Sequence, residues 1–290
     1  MAHPAFGPRR RKFSSPHRRP NPGYIRTGNA ALSRHCHLSY WRAVLPLAGV
    51  AAEMIELRNI SVQYGEAPAV HEVSANAKPG EFIALVGPNG SGKSSLIKAA
   101  AGLLPHTGTT SLPQKPGERA RALSYLAQNS TAPEQRKVKD IIALGRTPYL
   151  GLLSKLSNAD KAAIQSAAKS CEIEPLLERA FGTLSGGEKM RVHLARALAT
   201  QAPILLADEP ITALDPYYQI SALKILREAA DTGTIIITAL HNLAYAKRFA
   251  DRIWVLNGGK LVVDAAADKA LSAETLRDVF RITPNGETIG

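Results

Sequence analysis

Residues Gly87-Pro88-Asn89-Gly90-Ser91-Gly92-Lys93-Ser94 fit the spacing G-x-x-x-x-G-K-[ST]. Glycines there let backbone N–H groups converge on phosphate oxygens, and a helix starting at the same place aims its positive end at the anion. Lys93 adds a point charge for the β- and γ-phosphates of a nucleotide, and the Ser94 hydroxyl is a donor suited to Mg²⁺. A second group of residues ends an apolar run: Pro203-Ile204-Leu205-Leu206-Ala207 is followed by Asp208-Glu209. At such a strand end Asp208 can join the Mg²⁺ shell while Glu209 faces the γ-phosphate and orients water. Alone, a strand ending in two acids is usually a solvated edge; paired with the phosphate loop it becomes a hydrolytic candidate. The third group is Leu184-Ser185-Gly186-Gly187-Glu188, opening a helical pattern with Arg191 and Arg196. Ser185 with Glu188 three positions on is a capping box. The same turn offers free N–H groups and a helix dipole to an anion. Both readings stand together.

These groups need strands and helices to hold them. Ile55, Leu57 and Ile60 begin an alternating strand pattern closed by Tyr64-Gly65, and Val70, Val73 and Ala75 begin another. Phe82 to Val86 is a continuous apolar run of the buried type and feeds the glycine-rich turn, after which Ser94 to Leu104 reads as a helix. Thr234 to Leu240 is a further buried strand. Strands alternating with helices predict a mostly parallel sheet covered on both faces, so the fold class is α/β, with an antiparallel β segment near Met54. Residues 131–183 carry helical spacing without an intervening strand, which predicts an inserted helical subdomain at about 131–199.

Composition narrows the function classes. The chain has 290 residues and a formal net charge of +12. Nine Lys and Arg and no acidic residue fall in 1–52, leaving 27 basic and 24 acidic residues in 53–290. The excess charge therefore belongs to the N-terminal stretch and argues only weakly for nucleic-acid binding by the folded part. Residues 1–53 lack a hydrophobic period and read as a disordered basic extension, or as an upstream start-site artefact with Met54 opening the functional chain. Arg10-Arg11-Lys12-Phe13 resembles a twin-arginine export signal, but the apolar stretch from Ala43 to Ala52 lies too far downstream to complete it. No uncharged apolar run is long enough to cross a membrane. Cys36 and Cys171, without a CxxC, form neither a disulfide framework nor a metal knuckle.

With these motifs in order, the chain resembles the ATP-binding cassette (ABC) ATPases from Met54 to about Arg281. The resemblance adds Tyr64 as the aromatic on which adenine stacks, Gln128, Ala213-Leu214-Asp215, and His241 after a buried strand. Singly, Tyr64, Gln128 and His241 would read as packing or surface residues; their order among the stronger motifs raises them. The resemblance implies a P-loop NTPase core acting as a head-to-tail homodimer with two ATP molecules between subunits. Nucleotide would be held by Tyr64, Gly87, Pro88, Asn89, Gly90, Ser91, Gly92, Lys93, Ser94 and Ser95 of one chain and by Ser185, Gly186 and Gly187 of the other. It further implies Mg²⁺ held by Ser94, Gln128 and Asp208, and Glu209, His241, Lys93 and Gln128 as the catalytic set. Ser95 and Ile211 stand where the family more often has Thr.

The stretch Val138 to Leu150, with Gly145-Arg146-Thr147-Pro148-Tyr149, is similar to the ATPase subunits of bacterial importers for iron–siderophore, haem and cobalamin, where this region faces the permease. An ordinary helix end broken by Pro148 is the plain alternative. The expected function is ATP hydrolysis driving uptake of a ferric siderophore, with haem or cobalamin as the alternative cargo. The expected partners are an integral-membrane permease dimer and, indirectly, a periplasmic binding protein, at the cytoplasmic face of the inner membrane. Nucleic acid is not an expected partner, because a non-transport ABC ATPase would carry two cassettes or a long coiled-coil insertion between Gln128 and Ser185. After the turn at Asn257-Gly258-Gly259 one last helix is expected, with no added regulatory domain.

Overall fold

The computed structural model of the chain describes residues 54–151, 154–212 and 214–283. The extension expected over 1–53 lies outside the described residues. Strand β1 (Ile55–Tyr64) pairs antiparallel with β2 (Ala67–Ala77), and later with β4 (Thr107–Thr110), as a three-stranded sheet in the order β2-β1-β4. Their alternation places Ile55, Leu57, Ile60 and Val62 inward while the intervening side chains face out.

The central layer is a six-stranded sheet. It uses β3 (Phe82–Val86), β5 (Leu123–Leu126), β6 (Ile204–Ala207), β7 (Ile235–Ala239), β8 (Arg252–Asn257) and β9 (Lys260–Ala266), in the order β5-β6-β7-β3-β8-β9. Every pair is parallel except the β8–β9 hairpin at one edge. Both faces of β3 are buried, which is why Phe82 to Val86 is apolar without alternation. Phe82, Ala84 and Val86 face a core shared with the helices, whereas Ile83 and Leu85 face a second core closed by β1, β2 and the helix after the phosphate loop.

The helices are α1 (Lys93–Ala100), α2 (Pro116–Ala122), α3 (Val138–Ala143), α4 (Asn158–Ser170), α5 (Gly186–Ala199), α6 (Pro216–Asp231), α7 (Leu243–Phe249), α8 (Ala267–Ala270) and α9 (Ala273–Asp278). Helix α1 stops at Ala100 rather than reaching Leu104, because Gly102 turns the chain in the left-handed region at φ 72°. Two short helices, not one, follow β9 among the described residues. Among the described residues between α3 and α5 lie α4 and three 3₁₀ turns over 144–183, with one isolated antiparallel bridge from Ala180 to Lys137.

Strands β4 and β5 are absent from the sequence reading. Each is only four residues long and carries too few apolar positions to show a period. Strand β5 exists because β6 is there to pair with, from Leu123 opposite Ile204 to Leu126 opposite Ala207.

Candidate functional site

Parallel strands deliver their C-terminal ends to one edge of the sheet, where ligands of α/β proteins bind. Strand β3 ends in the phosphate loop, β6 in Asp208-Glu209 and β7 just before His241. Residues far apart in the chain meet there.

The loop folds around its own lysine. Lys93 is 4% exposed, and its ammonium donates to the carbonyls of Gly87 at 2.9 Å and Pro88 at 3.0 Å. Burial pushes its pKa below the usual lysine value, while Glu209 and Asp208 nearby pull it back up. Gly92 caps α1 with φ 99°, and any side chain there would run into the Ala69 carbonyl. Asn89 and Gly90 are exposed at the rim. The Ser91 hydroxyl is buried with no hydrogen-bond partner among the described residues, a polar atom that phosphate oxygens would satisfy. Tyr64, half exposed at the end of β1, sets its hydroxyl 3.3 Å from Ser95 Oγ on α1.

Beside the loop, the Ser94 hydroxyl donates to Asp208 Oδ1 at 2.7 Å. Asp208 is buried at 1% exposure, and its backbone N–H donates to Leu126 O across the end of β5. Tyr125, on the same strand, is pushed up to about 12 by burial and by the Asp208 charge beside it. Tyr125 escaped the sequence reading because nothing local marks it; only the β5–β6 pairing brings it to Asp208.

Glu209 is the centre of the cluster. It is 9% exposed, and its carboxylate accepts from Gln128 Nε2 at 2.8 Å on one oxygen and lies 2.6 Å from His241 Nε2 on the other. Its backbone sits in the left-handed region at φ 49°, which a glutamate adopts at a cost of about 1–2 kcal/mol. The Thr212 hydroxyl, donating to the Glu209 carbonyl at 3.3 Å, braces the turn that imposes this conformation. The structure thus brings Lys93, Ser94, Gln128, Asp208, Glu209 and His241 to one sheet edge.

The Ser185 turn is held separately from that cluster. Ser185 caps α5 through a complete capping box: Ser185 N–H donates to Glu188 Oε2 at 2.8 Å, and Glu188 N–H donates back to Ser185 Oγ at 3.3 Å. The Ser185 backbone bond holds the Glu188 carboxyl below its usual range. Ser185 and Gly186 are exposed and Gly187 is buried. Among the described residues, no hydrogen bond joins this turn to the carboxylate cluster of the same chain.

Further along α5, His193 is 4% exposed, packs edge-on to Phe181 at 5.2 Å, and leaves both ring nitrogens without a hydrogen-bond partner among the described residues. Burial, reinforced by the nearby Arg196 charge, pushes its imidazole down to about 4. The ring is therefore neutral in the fold, while in the unfolded chain it takes up a proton near 6.5. Stability is complete above that value and is lost as pH falls toward 4. At pH 4.5 the loss from this one group is about 2–3 kcal/mol. Urea denaturation of wild type and His193→Leu at pH 7.5 and 4.5 checks this; equal acid losses in both would remove His193 from the account.

The stretch expected to face a permease is turned partly inward. Arg146 is 5% exposed, and its Nε donates to Asp160 Oδ1 at 2.8 Å. Its Nη1 reaches the carbonyls of Ala199 at 2.9 Å and Thr200 at 3.2 Å, at the end of α5, and the Tyr149 ring lies 4.0 Å from its Cζ. Outward the segment offers Asp140, Leu144 and Thr147, with Leu144 55% exposed.

Comparison with known proteins fits this geometry. Residues 70–212 match the family model described as ABC transporter. The chain is 38% identical to the hemin import ATP-binding protein HmuV of Shewanella denitrificans, over 78% of this chain and 93% of that one. It is 36% identical to HmuV of Rhodococcus jostii, over 76% and 77%. Among solved structures, one described as an inward-facing ABC transporter of metal-chelate type aligns with a TM-score of 0.71 at 23% identity, covering 79% of this chain and 89% of that one. The dimeric post-hydrolysis ATP-binding cassette MJ0796, bound to ADP and Pi, aligns at 0.63 and 25% identity, over 73% and 98%. This chain belongs to the ABC transporter family and is one of its ATP-hydrolysing, ATP-binding subunits.

Proposed function

We propose that this chain energises the import of haem, as a homodimer bound to a separate membrane permease. The observation that carries the catalytic half is Glu209: a buried carboxylate at a strand end, oriented by Gln128 and His241 and adjacent to the Lys93, Ser94 and Asp208 group. No helix of the described residues is long and apolar enough to cross a membrane, so the permeation path belongs to a partner. A peripheral place on the cytoplasmic side of that partner, served across the membrane by a binding protein, completes the reading. Within the chain, residues 54–290 form the ATPase domain and the helical part at about 131–199 its subdomain, with 1–53 outside the catalytic unit.

In this reading Lys93 exchanges the Gly87 and Pro88 carbonyls for the β- and γ-phosphate oxygens. Gly87 to Ser95 wrap the phosphates through backbone N–H groups and the Ser91 and Ser94 hydroxyls. Tyr64 carries the adenine. Glu209 takes the proton of the attacking water as it closes on the γ-phosphorus, and His241 holds the γ-phosphate that leaves. Ser185, Gly186 and Gly187 of the second subunit close the other side of the nucleotide, since their own chain does not bring them to its carboxylates. The Ser94 hydroxyl and Asp208 carboxylate, 2.7 Å apart, with the Gln128 amide oxygen, are the hard oxygen donors that Mg²⁺ takes. Bound there, the ion would offset phosphate charge.

The motifs alone put a ferric siderophore first among cargoes. Haem now stands ahead of it because both relatives compared above are named as hemin importers. The test is growth and labelled uptake in a deletion strain offered haem, ferric siderophore or cobalamin. Haem uptake is expected to vanish and to return with wild type but not with Lys93→Ala. Loss of siderophore or cobalamin uptake instead would overturn the haem assignment.

A further inference from the structure

Gly187 has no side chain because Tyr218 occupies the space. A Cβ built there falls 2.6 Å from Cδ1 and Cγ of the Tyr218 ring and 2.8 Å from Cδ2. The ring is gripped on its other sides too. Arg191, one turn further along the same face of α5, places its guanidinium carbon 5.9 Å from the ring centroid, and Tyr217 meets it edge-on at 5.3 Å. The contact joins the first turn of α6 to the first turn of α5.

Those two turns serve different parts of the machinery. Helix α6 begins directly after the Glu209 turn, and that turn is tied to it. Leu214 N–H donates to Ile211 O at 3.2 Å, Gln219 Nε2 donates to the same carbonyl at 3.2 Å, and the Thr212 hydroxyl reaches Glu209 O. These bonds brace the turn against the start of α6. On the far side of Tyr218, the Ser185–Gly187 turn is pinned by its capping box to the same first turn of α5.

We propose that Tyr218 is a positioning residue that couples the Glu209 turn to the Ser185–Gly187 turn of its own chain. This rests on the dimer reading above, in which the second turn completes the partner's ATP site. Nucleotide held at one site then sets the geometry offered to the other, which is a coupling free energy between two sites. The ring carries the effect, so a phenylalanine preserves it.

The test compares purified full-length wild type, Tyr218→Phe and Tyr218→Ala for ATP turnover against ATP concentration. Tyr218→Ala is expected to raise the half-saturating ATP concentration about 5–10-fold and to bring the Hill coefficient to about one. Tyr218→Phe keeps the wild-type curve. A merely structural role would instead lower the melting temperature and the active fraction without moving the curve. A second pair of variants reports on the contact itself. Gly187→Ala drives a methyl into the ring and lowers turnover, and adding Tyr218→Ala in the same chain is expected to recover part of that loss. If wild type is cooperative and Tyr218→Ala matches it, the coupling role is overturned and the dimer reading stands. If wild type neither dimerises with ATP nor turns over cooperatively, the dimer reading falls and takes this role with it.

Discussion

Replacing Glu209 with Gln lowers ATP turnover by about 10²–10⁴-fold, the usual worth of a general base, while nucleotide affinity stays close to wild type. The difference between a carboxylate and an amide explains both halves. The Glu209 carboxylate accepts from Gln128 Nε2 and faces His241 Nε2, one on each oxygen. An amide of the same shape has one acceptor and sets an NH₂ against a second donor, so it neither keeps this network nor takes a proton from water. Affinity is expected to survive because, in the proposed site, Lys93 and the loop from Gly87 to Ser95 would hold the phosphates through other atoms. Phosphate release measured beside equilibrium ATP binding checks the split, and the variant is expected to accumulate as an ATP-bound dimer by light scattering. Wild-type hydrolysis in Glu209→Gln would sink the assignment of this residue.

Removing the carboxylate of Asp160 destabilises the fold by about 3–5 kcal/mol, because it strands the Arg146 guanidinium in the interior. The two side chains are only 7% and 8% exposed at a separation of 2.8 Å. Burial works against the Asp160 charge, yet hydrogen bonds from Ser157 and Arg146 hold its carboxyl below the usual range. Arg146 also donates to the Ala199 and Thr200 carbonyls, so it caps the end of α5 whose beginning carries Ser185. Thermal and urea denaturation of Asp160→Ala measure the loss. A double variant, Arg146→Met with Asp160→Leu, is expected to regain part of it, since buried ion pairs are often replaceable by apolar side chains of similar volume. Breaking the exposed Lys137–Glu178 pair is the control and is expected to change little. A small effect of Asp160→Ala would mean that water reaches the guanidinium.

Much of this molecule is legible along the chain. The phosphate loop, the Asp208-Glu209 strand end and the Ser185–Glu188 capping box each depend on residues within a few positions of one another. Backbone sterics, strand burial and helix capping act over that range, so type and spacing alone point to a nucleotide-binding α/β protein and to its candidate catalytic acids. Tyr64, Gln128 and His241 become readable only by their order among those motifs, since each alone fits ordinary packing as well.

Other features were decided by the tertiary structure. Strand β5 has too few residues for a hydrophobic period and forms because β6 offers it a partner, and that pairing is what brings Tyr125 to Asp208. Nothing near Arg146 in the sequence marks it as buried; it is interior because Asp160 and the carbonyls at the end of α5 converge on it. Gly187 needs its missing side chain for a reason sited thirty-one positions later, in the ring of Tyr218. Local spacing sets out the candidate chemical groups, because loop geometry, strand burial and capping act within a few residues. The fold alone decided which charges are buried and which turns touch, because those depend on contacts between segments that no local period encodes.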